Sequence, residues 1–193
     1  MRLRRVFPSL MANDGVLKQP LSLAATDFEL FELPTQFELN RAQLDAHWKA
    51  LQQQVHPDQF ALQGPAEKRL AMQWSVRVNE AYQRLKNPLR RAAYLCELHG
   101  APLHAEDNTS MPAEFLMQQM QWREDLDEAH TVAALTSLQT DINDAKQQAL
   151  QRCAQSLDVD KDWLAAVQEV RALMFIERFE EDLNNRFDRL EDA

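Results

Sequence analysis

Apolar positions recur along this chain with the period of an α-helix, not that of a strand. Thr26-Asp27 is a good helix start and is followed by Phe28, Leu30, Phe31 and Leu33; Pro34 ends the segment after about two turns. Asn40 is a suitable N-cap for a second helix. Its apolar residues Leu44, Trp48, Leu51 and Val55 step by four, three and four, with Gln, Asp and Lys elsewhere. Pro57 ends that helix and biases His56 toward an extended backbone. A third helix is expected from Pro65, a favoured first position, with Leu70, Trp74, Val78, Ala81 and Leu85 on one face. Asn87-Pro88 stops it, and a short fourth helix from Leu89 to His99 closes at Gly100. Helices two and three each carry one apolar stripe and are joined by a loop of about ten residues. The simplest packing is an antiparallel hairpin, stripe against stripe, with Phe28 and Phe31 laid across it.

Beyond Gly100 the pattern changes. Residues 101–111 read as a linker, with Pro102 and the polar run Glu106-Asp107-Asn108-Thr109-Ser110. Three more helical segments follow, approximately Pro112–His130, Thr131–Leu157 and Asp160–Leu190. The boundary near His130 is weakly marked. In the last segment Trp163, Val167, Val170 and Met174 are expected in the core, and Phe175 lies beside that stripe. The fold class is therefore all-α: a hairpin unit with short flanking helices, then a three-helix bundle.

Composition agrees. Only 3 of 193 residues are Gly, and Ala, Leu, Gln and Glu are abundant. The formal net charge of −9 argues against broad nucleic-acid binding, which needs a basic face. The 2 cysteines, Cys96 and Cys153, have no CxxC companion and read as buried or half-buried thiols in a reducing cytosol. No apolar run approaches the roughly 20 residues of a membrane span. Residues 1–25, with Arg2, Arg4 and Arg5 but also Asp14, Gly15 and Pro20, read as a disordered tail. Met11 is an alternative start within it.

The candidate chemistry lies between helices two and three, in His56-Pro57-Asp58. Pro57 stiffens the turn, His56 can donate or accept, and Asp58 offers a carboxylate to a partner arginine. Alone the tripeptide is weak: it could be chance, a turn capped by Asp58, or an acid–base pair. No further His, Asp, Ser or Cys supports a triad. The histidines at 47, 56, 99, 104 and 130 form no i,i+4 ligand pair, so no metal site is expected.

The order of motifs makes the tripeptide specific. Asp27-Phe28-Glu29-Leu30-Phe31, the stripe Leu44 to Val55 leading into His56-Pro57-Asp58, Val78-Asn79-Glu80-Ala81-Tyr82-Gln83-Arg84-Leu85, and Asn87-Pro88-Leu89-Arg90-Arg91-Ala92-Ala93-Tyr94-Leu95 together resemble the J-domain family over residues 26–100. The resemblance implies a co-chaperone that docks on a DnaK-class heat-shock ATPase and accelerates ATP hydrolysis through the His56-Pro57-Asp58 loop. It implies no nucleotide site or cofactor in this chain, which also lacks a GxxxxGK loop. There are departures. The second helix offers mainly Arg41 and Lys49 as basic contacts, Val55 precedes His56, and position 59 is Gln. Steering toward a generic partner is weakened, and a specialised chaperone fits better.

Wheeling the fifth segment at about 100° per residue puts Phe115, Trp122, Leu126 and Ala129 within about 60° of one another, a core stripe. Leu116, Met117 and Met120 fall on the far side with Glu124, flanked by Gln121 and Glu128. Either the helix buries both faces, or this is a docking face on which Leu and Met adapt and acids select a basic partner. Phe115-Leu116-Met117-Gln118-Gln119-Met120, Arg123-Glu124-Asp125-Leu126-Asp127-Glu128 and Val170-Arg171-Ala172-Leu173-Met174-Phe175-Ile176 are similar to blocks of the HscB family, J-protein co-chaperones of iron–sulfur cluster assembly. That resemblance covers residues 26–190. It implies binding of an IscU-type scaffold through Leu116, Met117, Met120, Gln121, Glu124, Glu128 and Phe175, and delivery to an HscA-type chaperone ATPase. Some members carry an acid where Gln121 stands, which bears on its electrostatic role. The paired CxxC motifs of mitochondrial relatives are lacking, so a bacterial, cytoplasmic, metal-free version is expected. Two other readings remain: a generic J-protein holding unfolded clients, and a hydrolase using His56 and Asp58.

Overall fold

The computed structural model describes residues 24–56, 58, 64–103 and 111–191. Most of the expected tail, Pro57, Gln59 and residues 104–110 of the expected linker lie outside the described residues. The elements are α1 (Asp27–Leu30), α2 (Arg41–Val55), α3 (Pro65–Lys86), α4 (Pro88–Leu98), α5 (Ala113–Glu128), α6 (Val132–Ala154) and α7 (Trp163–Glu191). Among the described residues there is no strand. The chain divides into two compact units, one ending at Arg90 and the other beginning at Arg91, so the division falls within α4.

In the first unit, α1 is short and held at both ends. The Thr26 hydroxyl accepts the Glu29 N–H at 3.2 Å, and Glu29 accepts the Thr26 N–H at 2.8 Å, a capping box. The helix stops where Glu32 takes a left-handed φ of 49°. Its N–H reaches the Glu29 carbonyl at 3.1 Å, and the Leu33 N–H reaches the Phe28 carbonyl at 2.9 Å. Phe28 and Phe31 are buried, as their place in the pattern required.

Beneath α1 is a group that periodicity does not reveal. Asp27 is 0% exposed, with Arg77 Nη1 2.6 Å from one carboxylate oxygen and Arg84 Nη1 3.0 Å from the other. Arg77 also donates to the Ala25 carbonyl at 2.9 Å. A carboxylate stripped of water is tolerable only when charged donors replace its hydration. Two arginines seven residues apart on α3 do so here, and they fix α1 across that helix.

The α2–α3 hairpin packs stripe to stripe. Leu44, Leu51 and Val55 of α2 are buried, as are Ala71, Trp74, Val78, Ala81, Tyr82 and Leu85 of α3. Trp48 is half-buried and stacks on Tyr82, ring centroids 4.4 Å apart. Its indole N–H donates to Asn79 Oδ1 at 3.1 Å, and the Gln52 amide donates to the same oxygen. On the other flank, His47 Nδ1 pairs with the Phe31 carbonyl.

In the second unit, Trp122 and Ala129 of α5, Leu135, Leu138 and Ile142 of α6, and Ile176, Phe179 and Leu183 of α7 form one core. The weakly marked break near His130 is real: Thr131 caps α6 by accepting the Ala134 N–H at 3.2 Å. The α6–α7 junction was less legible. The chain passes from Ala154 into a π-helical turn, Gln155–Asp160, and Lys161 takes a left-handed φ of 55°. Asp162 then caps α7 by accepting the Ala165 N–H at 2.9 Å. With no Gly or Pro to mark it, this turn was expected as two α-helix ends.

Met174 corrects the expected core of α7: it is 43% exposed. Buried positions Val167, Val170, Leu173, Ile176 and Phe179 step by three. Each such step falls about 60° short of a full revolution, so the buried face winds around α7 and leaves Met174 outside. Cys96 and Cys153 are both buried, and burial first of all pushes their thiols up to about 11 and about 12.

Removing the Asp27 carboxylate leaves Arg77 and Arg84 facing one another over a vacated site. Asp27→Ala should cost about 3 kcal/mol of stability in urea unfolding. An unchanged midpoint would show that the buried pair does not hold α1.

Candidate interaction sites

Each unit presents one candidate surface. The first is the end of α2. His56 is the extended C-cap residue, φ −61° and ψ 130°, as expected of a residue before proline. Val55 behind it is buried and seals the stripe. The His56 side chain is 54% exposed and that of Asp58 is 89% exposed. The Asp58 N–H donates to His56 Nδ1 at 3.3 Å, and the Asp58 carboxylate lies 3.6 Å from the same nitrogen. In the neutral ring this makes Nδ1 the acceptor and leaves the proton on Nε2 as a donor. Among the described residues, the end of α2 therefore offers a donor on His56 and a carboxylate on Asp58. A hydrolytic pair needs a water-excluding pocket, and these side chains stand open to solvent.

Arg41 does not reach that tip. Arg41 opens α2, fourteen residues before Val55, and a helix rises 1.5 Å per residue, which puts the two about 20 Å apart. Arg41 also has local work. Its Nε donates to Asp45 at 2.7 Å, its Nη2 to the Tyr82 hydroxyl at 3.1 Å, and its guanidinium lies 5.6 Å from the centre of the Tyr82 ring. Tyr82 in turn donates to Asp45 at 3.0 Å. Arg41, Asp45 and Tyr82 thus form a clamp across the open end of the hairpin. Periodicity missed it, although Arg41 and Asp45 stand at i,i+4. Lys49 is exposed.

The second surface is the outer face of α5. Leu116 is 44% exposed, and Met117 and Met120 are each 64% exposed. Gln121, Glu124 and Glu128 are exposed on the same side. Gln121 donates to Asp125 at 2.9 Å, which ties it along its own helix. The opposite face packs inward as expected, with Trp122 and Ala129 buried and Phe115 and Leu126 partly so. Phe175 is placed differently from the other six. It is partly buried in an aromatic cluster, 5.8 Å from Phe115, 6.4 Å from Trp122 and 5.9 Å from Phe179 between ring centres. The Arg123 guanidinium lies over it at 5.8 Å, a contact that spacing alone did not suggest. The usable signal was compositional: Arg123 is the one base in α5.

A capped short helix laid over a striped antiparallel hairpin that ends in His56 and Asp58, followed by a separate three-helix bundle, defines a J-domain protein with a helical C-terminal unit. Residues 111–184 match the family model described as the HSCB C-terminal oligomerisation domain. The chain is 48% identical to a co-chaperone protein HscB homolog of Burkholderia multivorans, over 89% of this chain and 99% of that one. It is 49% identical to the Bordetella petrii homolog, over 83% and 96%. Chaperone HscB from Vibrio cholerae superposes with a TM-score of 0.74 at 36% identity, covering 86% of this chain and 99% of that one. Human co-chaperone protein HscB gives 0.81 at 26% identity, covering 87% and 85%. The chain belongs to the HscB co-chaperone family.

The clamp on α2 predicts an acid response. The Arg41 hydrogen bond holds the Asp45 carboxyl below its ordinary value, with the Tyr82 hydroxyl and Lys49 adding to it. A depressed folded-state value stabilises the fold above the unfolded value and loses that contribution as pH falls through the folded one. Urea midpoints should therefore drop below about pH 4, and Asp45→Asn should flatten part of that drop. Parallel pH curves for the two proteins would exclude the clamp as a source.

Proposed function

We propose that this protein is a co-chaperone of iron–sulfur cluster assembly that couples an IscU-type scaffold to an HscA-type chaperone ATPase. Family membership supports the co-chaperone role, and the relatives bear co-chaperone names. The observation that carries the reading is the separation of two unlike exposed surfaces in two compact units. One is a small polar tip, and the other is an apolar row edged by acids.

The tip suits an ATPase switch. His56 Nε2–H and the Asp58 carboxylate are complementary to an acceptor and an arginine on the chaperone, with Pro57 limiting the turn. Their work is to bind and bias the partner's conformation, so the chain acts without a catalytic step of its own. Lys49 lies on the approach along α2, while Arg41 contributes mainly by holding α2 to α3. The weak basic character of α2 favours one dedicated chaperone over a general one.

The α5 face suits a folded scaffold. Leu116, Met117 and Met120 supply adaptable apolar contact, and Glu124 and Glu128 favour a partner with basic residues opposite them. Gln121 contributes through its amide, and Phe175 through the cluster behind the face. The functional limits that follow are a tail at 1–25, the J-domain at 26–100, a linker at 101–111 and the scaffold-binding domain at 112–193. Among the described residues no helix is long and apolar enough to cross a membrane. We place the protein in the bacterial cytoplasm, with its chaperone.

Two variants separate the surfaces. His56→Gln should reduce stimulation of the chaperone ATPase on the order of tenfold while leaving scaffold affinity intact. Leu116→Ala/Met120→Ala should do the reverse, weakening scaffold binding roughly tenfold or more by calorimetry. Stimulation retained in the first, or scaffold affinity retained in the second, removes the corresponding half of the reading. A generic client-holding J-protein would bind unfolded chains as well as the scaffold.

A further inference from the structure

Sulfur is distributed unevenly in this chain. Cys96 and Cys153 are both 0% exposed, and burial pushes their thiols up to about 11 and about 12. At neutral pH neither forms the thiolate that peroxides attack. The methionines lie elsewhere. Of the 7, Met1 and Met11 are outside the described residues, and none of the other 5 belongs to the core. Met72, Met117, Met120 and Met174 are 58%, 64%, 64% and 43% exposed, and Met111 is half-buried. Methionine ordinarily fills irregular gaps in cores. Here the buried apolar residues are Leu, Ile, Val, Ala, Cys and aromatics, and the thioethers face water.

Met117 and Met120 stand about 60° apart around α5, on neighbouring turns beside Leu116. A thioether has no proton to lose, so its oxidation needs only access, and these two are the most exposed of the four. We propose that Met117 and Met120 are modification sites, at which a hydroperoxide converts each thioether to a sulfoxide and thereby weakens docking of the scaffold on α5. In that step a sulfur lone pair attacks one peroxide oxygen as the O–O bond breaks. A sulfur–oxygen bond forms, and the other oxygen leaves as hydroxide, takes the proton of the transferred hydroxyl and becomes water. Sulfur is oxidised by two electrons and the peroxide reduced by two. The sulfoxide is a hydrogen-bond acceptor where an apolar thioether stood. Pressed against an apolar partner surface it would be buried without a donor, and its neighbours Glu124 and Glu128 are acceptors themselves. The fold is spared, because neither side chain is part of the core. His56 and Asp58 carry no sulfur, so the end of α2 is spared as well. Peroxide thus separates the two surfaces: scaffold delivery stops while chaperone stimulation persists. Sulfoxide reductases acting with a thiol reductant reverse the change.

The proposal rests on the α5 face being the scaffold site, and the test keeps the two apart. Full-length protein is treated with hydrogen peroxide, the peroxide is removed, and peptide masses locate each added oxygen. Binding of an untreated IscU-type scaffold is then measured by calorimetry, with near-UV circular dichroism as a check on the fold. Wild type oxidised at Met117 and Met120 should bind about tenfold or more weakly than its untreated form, and sulfoxide reductases of both epimer specificities should restore the affinity. Met117→Leu/Met120→Leu should bind equally before and after peroxide, whatever its untreated affinity, because Leu keeps the apolar volume without the sulfur. Stimulation of an HscA-type ATPase without scaffold should not change on oxidation. Full affinity in wild type carrying both sulfoxides, or an equal peroxide loss in the Leu variant, would overturn the proposal. So would oxidation of Cys96 or Cys153 ahead of the two methionines, or a joint loss of ATPase stimulation. If Leu116→Ala/Met120→Ala binds normally without peroxide, the scaffold face itself is wrong; if that variant is impaired while oxidised wild type binds normally, the face stands and the modification fails.

Discussion

Stripe-against-stripe packing of α2 on α3 is the constraint from which the first unit follows. Two helices with one apolar face each bury that face along their length. Val55 is the last buried residue of α2, and the next position, His56, is already outside. His56 and Asp58 are consequently exposed polar residues beyond the packed stripe, and they can be dedicated to recognition at small cost in stability. The polar contacts around the hairpin sharpen its register without replacing the apolar contribution. Asn79 accepts from Trp48 and Gln52 at mid-hairpin, and the Arg41–Asp45–Tyr82 clamp sits toward the other end. A slip of α2 by one residue would turn the stripe by about 100° and break all of these at once.

The second unit uses the opposite arrangement. Its core takes one face of α5 and leaves the other, apolar at Leu116, Met117 and Met120, uncovered within the bundle. Leaving three large apolar residues about half exposed forgoes burial worth about 1 kcal/mol for each, a penalty consistent with a surface that is covered in use. The aromatic cluster behind that face stiffens it, so the exposed row and Arg123 stand on a packed base. Polar tip and apolar face thus come from one rule applied twice: what the core does not consume is what the molecule offers.

Much of this was legible because the relevant signals are local and periodic. Steps of three and four placed α2, α3 and the inner face of α5, and Pro65, Asn87-Pro88 and Gly100 marked helix ends, whereas α1 stops at Leu30, short of the two turns expected up to Pro34. Gly100, for example, has a φ of 74°, and the Ala101 N–H after it returns to the Cys96 carbonyl. Features that depend on partners distant in sequence were not legible. Asp27 reads as an ordinary first-turn acid until Arg77 and Arg84 are brought to it. Arg41 reads as a free surface base until Tyr82 is beneath it. The π-helical turn at Gln155–Asp160 and the left-handed Lys161 carry no Gly or Pro signal, and Met174 was misplaced because a stripe was extended without its winding. At the candidate sites, the exposed residues of α5 followed from the helical wheel, whereas the burial of Phe175 beneath Arg123 did not.

The central claim is that one chain couples a scaffold to an ATPase through two separate surfaces. Its most direct test is the single-turnover ATP hydrolysis rate of an HscA-type chaperone with this protein alone, with an IscU-type scaffold alone, and with both. If the chain joins the two, the combined stimulation exceeds the product of the separate ones. That excess vanishes in Leu116→Ala/Met120→Ala, although stimulation by this variant alone is unchanged. Independent effects that merely multiply, with the variant behaving as wild type in the full mixture, would contradict the account.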